Sequence, residues 1–502
     1  MKQLSGLDAS FLALESPSQA GHVASLAIYD MPECAEDSIF PQLSRALGPR
    51  IARLAPLRQR LVTVPFELDL PYWVEDPAFE LDYHLRHVSV PPPGRDAQLA
   101  ELVARLHSQP LDRARPLWEM YVIEGLEHGR FALYTKVHHA AVDGMGGMAL
   151  VAALADGATP DGVALESASG ESVPGVLEMF ARGALGAARA PRRAFVRGVR
   201  TAAAAARTGN LGGLATASGL LPFAHAAGVG RVPGLYRALG LVRGEAGEKA
   251  CALPSTPAPR TPWNRAITPH RRWTGFSVSL DEVKRVRRVF GVTVNDVVLA
   301  LTAHALRREL DGRDALPADP MIAMVPVSLR AASDAGAQGN HVSMALTDLA
   351  TDEADPVLRL LRIHRAMRAA KRTHDGIPAD ILQDLGRIGA NLVAGPAVRA
   401  LTRAGFVARM RPPFNVGVSN VPGPREELTL CGARMNALYP LSIVADGQGL
   451  NVTVVSYRNR LNFGLTACRA LMPELADLGR GFAEGLEQLC KRADALAARV
   501  GR

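Results

Sequence analysis

Apolar residues along this chain follow either the two-residue period of a strand or the three-to-four-residue period of a helix. Residues 22–29 (HVASLAIY) read as a strand, 39–52 as a helix and 61–64 as a short strand. Residues 83–90 (YHLRHVSV) read as a further strand. Over 96–107, Leu99, Leu102, Val103 and Leu106 make one helical stripe. Strands at 120–123 and 131–139 flank a turn at Glu127, His128 and Gly129, and a helix follows Gly147 and ends near Gly157.

The pattern then breaks. Residues 157–174 are a Gly/Ser/Glu/Pro linker, and a basic, Ala-rich stretch runs to about residue 247. Residues 253–269 hold prolines at 254, 257, 259, 262 and 269, the composition of an extended spacer. Regular periods return with a strand at 274–279, where Ser279 caps a helix over 280–290, and a long helix over 293–309. Strands are expected at 321–327, 342–347, 415–421, 451–457 and 461–465, and helices at 356–370 and 473–500. The pattern predicts a mixed α/β protein: one half at 1–175, a basic helical connector with a Pro-rich linker at 176–269, and a second half at 270–502.

Composition narrows the classes. The chain has 502 residues, 48% hydrophobic and 21% charged, which excludes a disordered chain or a small disulfide-stapled one. The net charge of +8 is local. Between Met179 and Gly244 there are ten arginines and no acidic residue, so the remainder of the chain carries −2. That distribution argues against nucleic-acid binding, as does the lack of interleaved aromatics. Arginines among apolar residues over 181–208 suit an anionic membrane surface; the other reading is a solvated helical face. A second acid-free stretch, 385–425, adds six arginines, which also suit the phosphates of a nucleotide-like ligand.

The uncharged residues 208–230 contain six glycines and Pro222, so they read as a segment lying on a bilayer rather than crossing it. The N-terminus lacks a signal-peptide apolar run, and the five cysteines are widely spaced with no CxxC. Both fit a cytoplasmic protein with reduced thiols.

Candidate chemistry centres on residues 137–147, VHHAAVDGMGG, at the end of an apolar strand. Side-chain alternation places Phe131, Leu133, Thr135, Val137 and His139 on one face and His138 on the other. One imidazole at a strand end can take a proton from a hydroxyl. The bland reading of His139 is a satisfied core histidine. A metal site on His139 and Asp143 would need a helix and a third ligand, and the segment has neither. The glycines from Gly144 onward leave room for a tight turn or a ligand.

HHAAVDG resembles the HHxxxDG motif of the CoA-dependent acyltransferases, which include chloramphenicol acetyltransferase and condensation domains. Further blocks resemble one branch, the bacterial wax ester synthase/diacylglycerol acyltransferases. They are LSGLDASF at 4–11 with Glu15-Ser16-Pro17, PLDRARPLWE at 110–119, Val294-Asn295-Asp296-Val297, Asn420-Val421-Pro422-Gly423-Pro424 and DGQGLN at 446–451. The resemblance implies two chloramphenicol-acetyltransferase-like halves joined by a helical connector. It implies long-chain acyl transfer from acyl-CoA, as co-substrate with no bound cofactor, to a fatty alcohol or diacylglycerol. His139 would be the general base, without an acyl-enzyme, and the chain lacks a GxSxG elbow. His138, Asp143 and Gly144 would be structural, with Asp143 paired to an arginine. The expected setting is the inner face of the membrane or a lipid droplet. Two alternatives stay open: a catalytically silent lipid-binding member of the fold, and a condensation-like enzyme taking its acyl group from a carrier protein.

Thr293 reads as the N-cap of the long helix, with Asp296 completing a capping box, so Asp296 is structural. Asn295 is either a second capping group or a donor to a developing oxyanion. Trp118 and Arg115 line or brace the site, with a core position favoured for Trp118. Gly447 and Gly449 permit a turn or close backbone approach.

Overall fold

The computed structural model describes residues 1–32, 38–142, 144–157, 174–175, 178–182, 185, 258–328, 342–374 and 411–500. Asp143, the connector between residues 186 and 257, and residues 385–410 lie outside these.

The chain opens with β1 (Lys2–Gln3), which joins β3 (Gln59–Val62) and β4 (Tyr72–Glu75) in a small antiparallel sheet ordered β1-β4-β3. Helix α1 (Gly6–Ala13) follows β1 and is capped by the Ser5 hydroxyl, which accepts from the Asp8 N–H. The first large sheet takes β2 (His22–Asp30), β5 (Leu85–Ser89), β6 (Trp118–Leu126) and β7 (Arg130–His138) from the first half. Its remaining two strands, β12 (Thr429–Leu430) and β13 (Ala433–Leu441), come from far along the chain, and the order is β12-β13-β2-β7-β6-β5. Only β5 and β6 are parallel.

Alternation decides what each face buries. Leu26 and Ile28 of β2 and Ala132 and Tyr134 of β7 pack with Leu99 and Val103 of α4 (Asp96–Ser108). Ala27, Tyr29, Phe131, Leu133 and Val137 point the other way, onto Leu43, Leu47 and Ile51 of α2 (Phe40–Ile51) and onto α5 (Gly144–Leu154).

The second large sheet is ordered β10-β9-β11-β14-β15-β8. Its strands are β8 (Arg271–Ser279), β9 (Ile322–Ser328), β10 (Val342–Asp348), β11 (Val416–Val421), β14 (Leu450–Tyr457) and β15 (Arg460–Cys468). The central three are parallel. Helices α6 (Leu280–Phe290), α7 (Val294–Asp311), α8 (Pro356–His374) and α9 (Leu475–Val500) cover it with one continuous core. The protein is thus mixed α/β with two mixed sheets, as the periodicity predicts.

Two local expectations change. The expected strand at 83–90 is one helical turn, α3 (Leu81–His84), followed by β5. His84 is buried there, stacked on Trp118 at 4.6 Å with Nδ1 bonded to the Trp118 carbonyl oxygen at 2.8 Å. Strand β13 has no counterpart in the periodicity. It contains Pro440, which sits in register with Ser25 of β2 while its carbonyl oxygen turns away toward Gly464 and Trp273.

That strand links the halves. Pro440 crosses β15 so closely that a Cβ on Gly464 would lie 1.7 Å from the Pro440 carbonyl oxygen. The Trp273 indole of β8 donates to the same oxygen at 3.3 Å. Gly464→Ala is therefore expected to destabilise the protein by about 3 kcal/mol, because the clash is with backbone. A urea titration showing an unchanged midpoint would contradict this account of the crossing.

Candidate active site

The site begins with His138, the last residue of β7, buried to 1% exposure on the α4-facing side of its sheet. A buried imidazole needs partners on both nitrogens. Nδ1 accepts from the Ala140 N–H at 3.0 Å, so in the neutral ring Nε2 carries the proton and donates to Glu15 Oε1 at 3.1 Å. The ring lies directly over Gly21, where a Cβ would sit 2.7 Å from His138 Nε2. The His138 N–H donates to the Leu117 carbonyl oxygen at 2.9 Å, and the His138 carbonyl oxygen accepts from Ala141 at 2.9 Å and Val142 at 3.3 Å. The strand therefore ends in a closed turn.

Glu15 joins several of these parts. Its Oε1 accepts from the Gly21 N–H at 2.8 Å, and its Oε2 accepts from Arg113 Nε at 2.9 Å. Burial pushes the carboxyl up, but the His138 hydrogen bond, the Gly21 N–H and Arg113 outweigh it and bring its pKa down to about 2. Arg113 also donates to the Leu12 carbonyl oxygen at 2.5 Å, tying the end of α1 to the loop before β6.

His139 lies one residue beyond His138 and is half-buried. Its N–H donates to the Gly21 carbonyl oxygen at 2.9 Å, and its ring stacks on Phe11 of α1 with centroids 4.2 Å apart. Along β7 itself the side chains alternate, with odd-numbered Phe131, Leu133 and Val137 on one face and Ala132 and Tyr134 on the other, and His139 lies just past the strand's end. On the His138 face, Lys136 is fully buried, with Nζ 2.8 Å from Glu119 Oε2 and donating to the carbonyl oxygens of Leu106 and Gln109. Burial pulls this ammonium down, and Glu119 opposes that pull.

The other candidates separate into those brought to this turn and those that are not. Gly144 opens α5, where a Cβ would lie 3.3 Å from Val421 Cγ2 at the end of β11, so the blocks at 138–144 and 420–424 meet. The 446–451 block meets the N-terminal segment, since the Asp446 N–H donates to Gln19 Oε1 at 3.3 Å. Gly447 has a left-handed φ of 79°, and a Cβ on Gly449 would approach the Trp263 carbonyl oxygen to 2.8 Å, so both act as turn and close-approach residues.

Trp118 is a core residue at 1% exposure, its indole donating to the Leu57 carbonyl oxygen at 2.7 Å. Arg115 stacks over the Tyr83 ring at 3.8 Å, a bracing contact. Asp296 completes the capping box with Thr293 and also binds His364 Nδ1 of α8 at 2.7 Å, which is a structural use. Asn295 is half-exposed in the first turn of α7, in the second half of the protein. Among the described residues no group of three or more His, Cys, Asp or Glu side chains is arranged to hold a metal ion.

Sequence reasoning missed the roles of Glu15, Arg113, Gly21 and Phe11. Glu15 and Arg113 lie inside recognised blocks, but their pairing spans 98 residues and leaves no local signal.

A histidine turn at the end of a strand, set where two mixed sheets are joined by an exchanged strand, places the protein in a structural class. The first condensation domain of the calcium-dependent antibiotic synthetase aligns over 98% of this chain and 96% of its own, with a TM-score of 0.54 and 17% identity, a likeness of fold alone. The comparisons then narrow to a family. Residues 4–298 match the wax ester synthase/diacylglycerol acyltransferase catalytic domain, and residues 338–490 match the C-terminal domain of the same family. A Mycobacterium tuberculosis protein named "Probable diacyglycerol O-acyltransferase tgs2" is 36% identical over 94% of this chain and 95% of its own. "O-acyltransferase WSD" of Acinetobacter baylyi is 34% identical over 95% and 94%. The solved wax ester synthase/diacylglycerol acyltransferase of Marinobacter aquaeolei is 31% identical, covers 98% of this chain and 100% of its own, and has a TM-score of 0.65. The chain belongs to the wax ester synthase/diacylglycerol acyltransferase family and is an acyltransferase.

Glu15 gives a pH test. Its folded pKa lies below the ordinary 4.5, so the stabilisation it supplies is present above that value and is lost as pH falls toward 2. Glu15→Gln should lower stability at neutral pH by up to about 3 kcal/mol. That difference should be flat above about pH 5 and shrink at lower pH. A difference independent of pH in denaturant titrations would show that the carboxylate charge contributes nothing.

Proposed function

We propose that the protein transfers a long-chain acyl group from acyl-CoA to the hydroxyl of a fatty alcohol or diacylglycerol, with His139 as general base. His139 takes the hydroxyl proton, the alcohol oxygen attacks the thioester carbonyl, and the C–S bond then breaks. The proton returns to the departing CoA sulfur, and no acyl-enzyme forms. The observation that supports this most is the division of labour in the HH pair. His138 has both ring nitrogens committed to Ala140 and Glu15, whereas His139 is half-buried against Phe11 at the turn. The relatives' names, wax ester synthase and diacylglycerol O-acyltransferase, support the acceptor classes. Asn295 remains the proposed donor to the tetrahedral oxyanion, its amide being at the positive end of α7. Asp143 is a proposed partner of an arginine that holds the turn; it lies outside the described residues.

The working position is peripheral to a lipid surface on the cytoplasmic side. Among the described residues no single helix is long and apolar enough to cross a membrane. The acceptors are lipids, and the ten arginines between 179 and 244 suit an anionic surface.

His139→Ala should lower turnover by a factor of about 10²–10⁴, with palmitoyl-CoA and hexadecanol as substrates and free CoA as the readout. Its melting temperature should stay within a few degrees of wild type. Wild-type turnover in the purified variant would remove His139 from the mechanism. Deleting residues 181–208 should weaken binding to anionic vesicles, and the arginine-dependent part of wild-type binding should fall with added salt. Unchanged binding in the deletion would remove the arginines from membrane attachment.

A further inference from the structure

The small sheet β1-β4-β3 carries an exposed apolar projection that the acyl-transfer chemistry does not use. Between β3 and β4, Phe66 is 86% exposed and held at φ 57°, ψ 19°, a left-handed backbone that disfavours a residue with a Cβ. Leu68, two residues on, is 36% exposed. Phe180 reaches the same place from far along the chain. Its neighbour Met179 is buried at 2%, while the Phe180 ring is 42% exposed and meets Phe66 edge-on at 6.3 Å. Two aromatic rings that touch each other while both face solvent form an apolar surface that calls for an external partner.

We propose that Phe66, Leu68 and Phe180 form a wedge that enters the surface of a lipid bilayer or droplet. This rests on the reading that the enzyme works at such a surface. Two observations favour lipid as the occupant. First, the acid-free run with ten arginines starts at Met179, so in sequence the basic segment follows directly from Phe180. Stable interfacial attachment combines an apolar insertion with a basic segment. Second, the sheet bearing the wedge packs on the catalytic turn. Leu4, Leu61 and Trp73 share a cluster with Leu117, Ala140 and Ala141. Lipid contact at Phe66 therefore falls on the element beside His139.

The two contributions differ in kind. The loop carries no net positive charge of its own: Glu67 and Asp69 flank Leu68, and Arg182 pairs with Glu178 at 2.9 Å. The wedge therefore supplies attachment that is insensitive to salt, and the arginines supply the part that salt screens.

The test uses the full-length chain and vesicles of phosphatidylcholine with phosphatidylglycerol, at low and high salt. Wild type is expected to keep a residual bound fraction at high salt. The double variant Phe66→Ser, Phe180→Ser should lose that fraction, with at least about a tenfold drop in partitioning, while keeping its turnover on a soluble short-chain alcohol. In Phe66→Trp, the indole emission should be quenched by brominated acyl chains, which reports insertion without relying on a disruptive change. Retention of the high-salt fraction by the double variant, or absence of quenching, overturns the wedge while leaving membrane attachment intact. Failure of wild type to bind any vesicle overturns both. A lipid-free dimer that the double variant dissociates would make these rings a contact between copies of the chain, and that too overturns the proposal.

Discussion

The histidine turn at the end of β7 depends on satisfying one buried imidazole. His138 ends a strand inside the protein, where an unmet ring nitrogen would be costly, and its two partners dictate much of the surrounding geometry. The Ala140 N–H bonded to Nδ1 closes the turn. The Glu15 carboxylate on Nε2 draws in the end of α1, the Gly21 backbone and Arg113. Only glycine fits at 21, because the imidazole occupies the space of a side chain. Once His138 is held this way, the following residue is positioned to stack its ring on Phe11. The double histidine is thus one locked ring that builds the turn and one ring that the turn presents.

The second constraint is the exchange of a strand between the halves. Strand β13 belongs to the later part of the chain, yet it hydrogen-bonds to β2 and completes the sheet that carries His138. Neither large sheet can therefore be read as a self-contained product of one stretch of sequence. The crossing at Pro440 over Gly464 and beneath Trp273 brings the sheets so close that side chains are excluded. The family match reflects the same interdependence, since the catalytic-domain match at 4–298 spans both His139 and Asn295. The contacts of Gly144 with Val421 and of Asp446 with Gln19 show the late blocks closing on the N-terminal site from the second half.

Much of this was legible in residue order because it depends on short-range chemistry. Alternation along β7 predicts two opposite faces, and the cores divide that way. Thr293 and Asp296 announce a capping box that the structure contains, and Ser279 caps α6 by accepting from the Glu282 N–H. The turn roles of Gly447 and Gly449 follow from the same local reasoning. What stayed hidden has one common cause: it depends on partners distant in sequence. Pro440 is a strand residue because β13 pairs with the distant β2, where Pro440 stands opposite Ser25. Residues 81–84 become a helical turn because His84 packs on Trp118.

By itself, the amino-acid order determined the mixed α/β class, the positions of most strands and helices, the basic run and the double histidine at a strand end. Those features need only periodicity, local capping and composition. Tertiary structure alone decided that Glu15 and Arg113 serve the motif, that the first sheet borrows its last strands, and that Phe66 and Phe180 meet at the surface. Each joins residues about a hundred or more positions apart, and hydrogen bonds, backbone clashes and ring contacts of that span leave no period in the chain to read.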